Sequence, residues 1–421
     1  ANMPPKLSRR SFLSIGAATV AGAGALSWIY LSRKGAKEAT GLVADPAGII
    51  DLPPGFSYRA LQREGDTMNA GFKAPSAPDG MACFSGEQGT WVVLRNHEIH
   101  QGKPADPRFA VAPDRGGGVS RLVIDQASGA LRSSNFVLTG TSRNCSGGPT
   151  PFGWLSCEEV EESGHGYVFL CDPRAATLQA PHPLPALGRF PHEAAAFDPG
   201  SGITYLSEDT TESAIYRHVP DHLNRPFVGG QLQALKVSSQ DRFDLSQDRQ
   251  VGDQFAVEWV NIADPDATDT PTRFQAHDQG AAVLSRGEGA WFDRSSVYLC
   301  STDGGPIGEG QLYRLDIADP AKPDTLMLLA QAEEGGDFDR PDNITVSPWG
   351  DIFLAEDGDS PNGVRVLKPD GRLLYFARNA IKGGKSEITG VCFSPDGQWL
   401  FLNIQWEGLT LAITGPFTNW S

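Results

Sequence analysis

Residues 341–358 read PDNITVSPWGDIFLAEDG. A run with β-branched residues, Asn343 to Val346, meets a corner at Pro348-Trp349-Gly350. A second apolar run, Ile352 to Ala355, then ends in Glu356-Asp357. Apolar runs rich in β-branched residues on either side of a Pro-Gly corner describe two antiparallel strands. The phrase returns at 192–210 as HEAAAFDPGSGITYLSEDT and at 387–405 as EITGVCFSPDGQWLFLNIQ. Aligned on the corner prolines Pro199, Pro348 and Pro395, the residues six positions upstream are Glu193, Asp342 and Thr389. Nine or ten positions downstream stand Asp357, Asp209 and Gln405. Polar groups therefore recur at one end of two successive strands.

Residues 141–159, TSRNCSGGPTPFGWLSCEE, fit the same template, with Cys145 six positions before Pro151. Weaker copies occupy 79–98 and 285–305. Phrases beginning near 79, 145, 193, 286, 342 and 389 predict an all-β, six-bladed β-propeller with long inter-strand insertions. It forms a single domain over 40–421, behind a leader and linker at 1–39. The 48 Gly and 31 Pro among 421 residues suit many short strands and tight turns.

A net charge of −16 argues against a nucleic-acid partner, which needs basic patches. Near the start, SRRSFLSIGAATVAGAGALSWIYL places Arg9-Arg10 before a mildly apolar run from Ile15 to Leu31. This has the form of a twin-arginine export signal, with Ala23-Gly24-Ala25 as a cleavage site of small residues. It predicts the twin-arginine export machinery as a partner and a periplasmic or extracellular destination. Membrane contact is expected only through this segment, where it is retained. The six cysteines include no CxxC pair; Cys157 and Cys171, at the ends of CEEVEESGHGYVFLC, could bridge across a hairpin, but their apolar neighbours favour buried free thiols.

In a propeller the innermost strands line one axis, so residues distant in sequence converge there. Carboxylates gathered at that rim repel one another and are costly to bury unpaired, which points to bound cations. Cys145 falls at the phase of Glu193 and Asp342, where a thiolate could bind iron or zinc. Glu158 and Glu159 are adjacent, so strand alternation sends one to the channel and the other elsewhere. Oxygen ligands of this kind suit Ca²⁺. In FDRPDN, Arg340 and Asp342 share a face, a good clamp for an anionic oxygen group. RNHEIH (95–100) is not a zincin HExxH, and His192 is as readily structural as functional. No GxSxG elbow, phosphate loop or dinucleotide fingerprint is present.

The twin-arginine leader, NHE, GGVSRL, RNCSGGPTPFGWLSCEE, GRFPHEAA, YLSED, FDRPDNI, LAEDG and NIQ together resemble the PhoX family of bacterial alkaline phosphatases. The resemblance implies phosphate monoester substrates and a mixed Fe³⁺ and Ca²⁺ cluster at the axis of a six-bladed propeller, activating an oxygen nucleophile. It implies Cys145 and Glu193 as iron ligands and Asp342 as a carboxylate ligand. Asp209 and Asp357 resemble calcium-site acids, Glu159 and Glu387 match further metal positions, and Arg340 matches the phosphoryl clamp. Three departures stand out. Asp342 replaces the family's usual Glu, the segment after Thr150 is one residue shorter, and NIQWEG lacks the common His-Pro ending. A calcium-dependent lactonase or phosphotriesterase on a similar propeller is the main rival reading; a non-catalytic secreted binding propeller is a further one.

Overall fold

The computed structural model describes residues 41–421 apart from 248, 318–320, 337, 360 and 421. The leader and most of the linker thus lie outside the described residues. Residues Leu42–Ser421 form one compact unit. Among the described residues, no helix is long and apolar enough to cross a membrane.

The strands assemble into six blades. Blade 1 is Pro78–Ser85, Thr90–His97, Gly117–Asp125 and Leu131–Thr141; blade 2 is Asn144–Thr150, Gly153–Glu158 and Val168–Cys171. Blade 3 is His192–Phe197, Thr204–Glu208, Tyr216–Val219 and Gln231–Val237. Blade 4 is Gly287–Asp293, Ser296–Ser301, Gln311–Asp316 and Thr325–Gln331. Strand Gln254–Asn261 pairs with the outer strands of both, so blades 3 and 4 share one nine-stranded sheet. Blade 5 is Pro341–Val346, Ile352–Glu356, Gly363–Leu367 and Leu373–Asn379, edged by Ile50–Asp51. Blade 6 is Ile388–Phe393, Leu400–Ile404 and Leu409–Thr414, completed by Ser57–Arg63 from the other end of the chain.

The first strand of each blade packs on the first strand of the next, and that of blade 6 packs on that of blade 1. The ring is therefore closed. Its apolar core is divided among the spaces between blades because each strand has two buried faces. In Trp91-Val92-Val93-Leu94, Trp91 and Val93 face blade 6, while Val92 and Leu94 face blade 2. In Ala194-Ala195-Ala196-Phe197, Ala195 and Phe197 face blade 2, and Ala194 and Ala196 face blade 4. At the closure, the buried Arg95 guanidinium donates to Ser120 Oγ at 3.0 Å, Thr410 Oγ1 at 2.7 Å and Gln62 Oε1 at 2.6 Å. It stitches blade 1 to both chain ends that build blade 6. All six cysteines are free, and all but the half-buried Cys83 are buried.

The first strands crowd one another near the axis, which explains the Gly147-Gly148 pair. A Cβ on Gly148 would lie 1.5 Å from the Ala195 carbonyl oxygen of blade 3, and one on Gly147 would lie 1.8 Å from the Leu155 carbonyl oxygen. Neither backbone atom can swing aside. Gly148→Ala should therefore cost more than about 3 kcal/mol or prevent folding. Gly164→Ala, at φ +81° but in open space, should cost about 1 kcal/mol. Urea denaturation of the two variants checks this; equal midpoints would show that the blade contact yields.

Candidate metal centre

Every blade repeats one construction at the same rim. The first strand starts there, and a β-bulge interrupts its pairing within the first few residues. In five blades the bulge contains the second residue of the strand: Asp79, Cys145, Glu193, Glu288 and Asp342; in blade 6 it falls just after Thr389. These six residues form an axial ring. A bulge re-aims its side chains, which here turns this position toward the axis.

Two residues before the ring position stand Ala77, Arg143, Pro191, Arg286, Arg340 and Glu387. The carbonyl of each accepts from the backbone N–H of the residue just past its blade's second strand. Those partners are Glu98 (2.9 Å), Glu159 (3.0 Å), Asp209 (3.2 Å), Thr302 (3.2 Å), Asp357 (3.0 Å) and Gln405 (3.2 Å). Ala77, Arg143, Arg286 and Arg340 hold left-handed backbone at φ 48°, 47°, 47° and 43°. Side chains are uncommon there, so three arginines at one equivalent position mark a constraint of the site.

The three sets together gather nine carboxylates, one thiol and three arginines. Asp79, Cys145, Glu193 and Glu288 are each at most 7 % exposed. Burial, with Glu159 and Asp342 alongside, pushes the Glu193 carboxyl well above the carboxylate range. Burial does the same to Asp79, reinforced by Glu98, Glu387, Glu193 and Asp342. Glu288 is raised by burial and by Asp342, Asp209 and Glu193, with Arg286 partly opposing. Asp342 is pushed up to about 7 by burial and by Asp357. The Cys145 thiol, raised by burial and then by Glu193, donates to Glu193 Oε2 at 2.9 Å.

Three donor groups emerge: Cys145 with Glu159 and Glu193, Glu193 with Glu288 and Asp342, and Asp342 with Asp357 and Glu387. Within each group the ligand atoms lie within 4.8 Å of one another, so each could hold a metal ion. The chemistry fits such a role. Buried carboxylates that repel one another ask for hard cations, and a single thiol among them favours a transition metal at one position.

The structure thus brings together Cys145, Glu159, Glu193, Asp342, Asp357 and Glu387. Asp209 is at the same rim but differently engaged. Arg286 forks onto both its oxygens, Nε to Oδ1 at 2.9 Å and Nη2 to Oδ2 at 3.0 Å, and it belongs to none of the three donor groups. Arg340 is half-buried, and among the described residues its guanidinium makes no ion pair. Arg143 by contrast pairs with Glu98 at 2.8 Å and Glu159 at 3.3 Å.

Glu158 and Glu159 do divide. Glu158 is buried inside blade 2, accepting from Ser142 N at 2.9 Å and Gly166 N at 2.9 Å and bonded to His165 Nδ1 at 2.8 Å. Glu208 and Glu356 repeat this inward turn, held by Tyr216 Oη at 2.8 Å and Arg365 Nε at 2.9 Å. The doublets EE, ED and ED therefore pair a carboxylate buried in the blade with one at the rim. His192 is structural: it is buried and stacked on Phe190, with Nε2 on the Gly188 carbonyl at 2.9 Å. His97 is also structural, held between the Ser76 carbonyl and Ser120 Oγ.

The sequence reading missed Asp79, Glu98 and Glu288, together with Arg143 and Arg286. Two signals could have found them. Each ring residue precedes a small or short side chain (Gly80, Ser146, Ala194, Gly289, Asn343, Gly390), and Arg143 and Arg286 stand at the spacing of Arg340 from Asp342. Beside the centre an open cleft of about 750 Å³ is lined by His100, Arg143, Glu159, Val160, Pro191 and Asp209, among others.

Residues 38–114 and 125–408 match the model of a family described as Alkaline phosphatase PhoX. No curated protein matches the sequence. Among solved structures, PhoX of Pseudomonas fluorescens, in complex with the transition state analogue vanadate, is similar over 89% of this chain and 98% of its own, at 20% identity and a TM-score of 0.67. A gluconolactonase from Xanthomonas campestris is similar over 89% of this chain and 97% of its own, at 14% identity and a TM-score of 0.44. The periplasmic gluconolactonase of Pseudomonas aeruginosa covers 84% of this chain and 92% of its own, at 15% identity and a TM-score of 0.41. The first likeness carries the propeller fold, and the family match spans nearly the whole of it: this chain belongs to the PhoX family of alkaline phosphatases.

Proposed function

We propose that this protein hydrolyses phosphate monoesters at the axial rim, with Cys145, Glu159, Glu193, Asp342, Asp357 and Glu387 holding a cluster of Fe³⁺ and Ca²⁺. The observation that carries this reading is the imbalance of nine rim carboxylates against three arginines, two of them already paired to acids. Family membership supports phosphoester hydrolysis, as does the capture of the Pseudomonas fluorescens relative with vanadate. The lone thiol supports iron at the Cys145 group, and the carboxylate-only groups support calcium. Bound there, the ions would supply Lewis acidity toward the phosphoryl oxygens and lower the pKa of a water.

The chain's own residues supply the rest. Among the described residues the Arg340 guanidinium makes no ion pair, and its positive charge is fixed, so it grips a non-bridging phosphoryl oxygen and orients the phosphorus toward the cluster. Arg143 holds Glu98 and Glu159 in place beside the cleft, where the leaving group has room. The Arg9-Arg10 signal supports export by the twin-arginine route to the periplasm or beyond, with membrane contact only through that segment where it is retained.

Two measurements test the reading. Arg340→Ala should lower kcat/KM on a phosphomonoester by at least about 100-fold, the scale seen when one transition-state donor is removed, with metal content unchanged. An undiminished kcat/KM would refute the clamp. Protein stripped with a chelator should melt earlier than the untreated protein, and calcium should raise its melting temperature again. Saturation to about 100 times Kd corresponds to about 2.7 kcal/mol. An equal rise with sodium at the same ionic strength would mean screening rather than binding.

A further inference from the structure

Arg286 is the most heavily engaged cation of the rim. Its Nε and Nη2 fork onto Asp209 at 2.9 and 3.0 Å, and Nη2 also donates to Glu288 Oε1 at 2.9 Å. Its two partners belong to different neighbourhoods. Glu288 is 3 % exposed and shares a donor group with Glu193 and Asp342. Asp209 lies against Glu159, a member of the Cys145 group. The guanidinium therefore stands between two metal-donor groups, where carboxylates from blades 2, 3 and 4 meet.

The alternatives for such a position are few. Carboxylates this close need a positive charge between them, from a cation or from a side chain. Arg286 supplies one that cannot be lost by deprotonation, and its bidentate fork fixes the orientation of Asp209. Its own backbone is left-handed, at φ 47°, which directs the side chain across the rim from blade 4 to the Asp209 of blade 3.

We infer that Arg286 acts as a built-in cation of the centre, occupying the place of a divalent ion between Asp209 and Glu288. Arg286 is thus a positioning residue, and each oxygen of Asp209 is engaged by its fork. This inference rests on the metal-binding reading above. It has a consequence for composition. Removing the guanidinium leaves Asp209 and Glu288 without the positive charge they share, and oxygen donors of that kind suit Ca²⁺, which takes six to eight of them in flexible geometry.

The test is equilibrium dialysis of the full-length protein against calcium, with metal-to-protein ratios measured for the native sequence, Arg286→Ala, Arg286→Gln and Arg286→Lys. Arg286→Gln keeps amide donors toward Asp209 and serves where the alanine variant does not fold. The alanine or glutamine variant should bind one more calcium ion per chain than the native protein, and Arg286→Lys, which keeps the charge, should bind the native number. Ratios equal to or below the native one in both Arg286→Ala and Arg286→Gln would overturn the inference, as would a gain in Arg286→Lys equal to theirs. A native protein that binds no metal at all would instead overturn the metal-centre reading itself.

Discussion

The constraint on which the site depends is electrostatic. Closing six blades into a ring brings nine carboxylates and a thiol to one rim with three arginines among them. Four of the six axial positions are almost wholly buried acids or thiol, at 7 % exposure or less. Burial and mutual repulsion push the carboxyls of Asp79, Glu193 and Glu288 up and so favour their protonated forms, and the Cys145 thiol donates to Glu193. A fold that only needed stability would place apolar side chains here, since buried charge is seldom stabilising against a well-packed alternative. Retaining the acids makes sense when cations replace the protons.

The geometry that gathers them is made by backbone and not by side-chain packing. One hydrogen bond per blade, from the residue after the second strand to the carbonyl two before the ring position, ties three rim positions together. The bulge that follows turns the ring residue inward. The acids Glu158, Glu208 and Glu356 are satisfied inside their blades by hydrogen bonds and ion pairs. They anchor the strand ends from which Glu159, Asp209 and Asp357 project. Rigid blades thus hold the rim, and an open cleft of about 750 Å³ borders it.

Much of this was legible in sequence because prolines mark the corners of blades 3, 5 and 6, which makes their phase countable. Blade 2 joined the alignment through Pro151, which brought Cys145 into line. Blade 4 turns at Arg294 and Ser295, and blade 1 at residues 86–89, with no proline in either. Their phase is therefore loose in the sequence, and no corner proline singles out Glu288 or Asp79. The ion pairs were not legible for a different reason. That Arg286 meets Asp209, 77 residues away, depends on how neighbouring blades lean together, which no local pattern encodes. Nothing in the sequence distinguished an acid claimed by an arginine from one left to a metal.

Asp342 shows how connected the centre is. It stands where the family resemblance leads one to expect the longer Glu, yet its carboxylate belongs to two donor groups, one with Glu193 and Glu288 and one with Asp357 and Glu387. Glu193 likewise belongs to two, reaching Cys145 and Glu159 on its other side. The three groups therefore form a chain linked through Glu193 and Asp342, in the order of the blades around the axis. Were metal ions bound, Glu193 and Asp342 would each lend a donor to two groups, so occupancy of one would bear on its neighbour. The shorter side chain still belongs to both groups, each with its ligand atoms within 4.8 Å of one another. Loss of either shared carboxylate removes a donor from two sites at once, whereas loss of Glu159, Asp357 or Glu387 removes it from one. The centre is in that sense a single linked unit, and the arginine fork on Asp209 and Glu288 marks where the carboxylate chain meets a fixed charge.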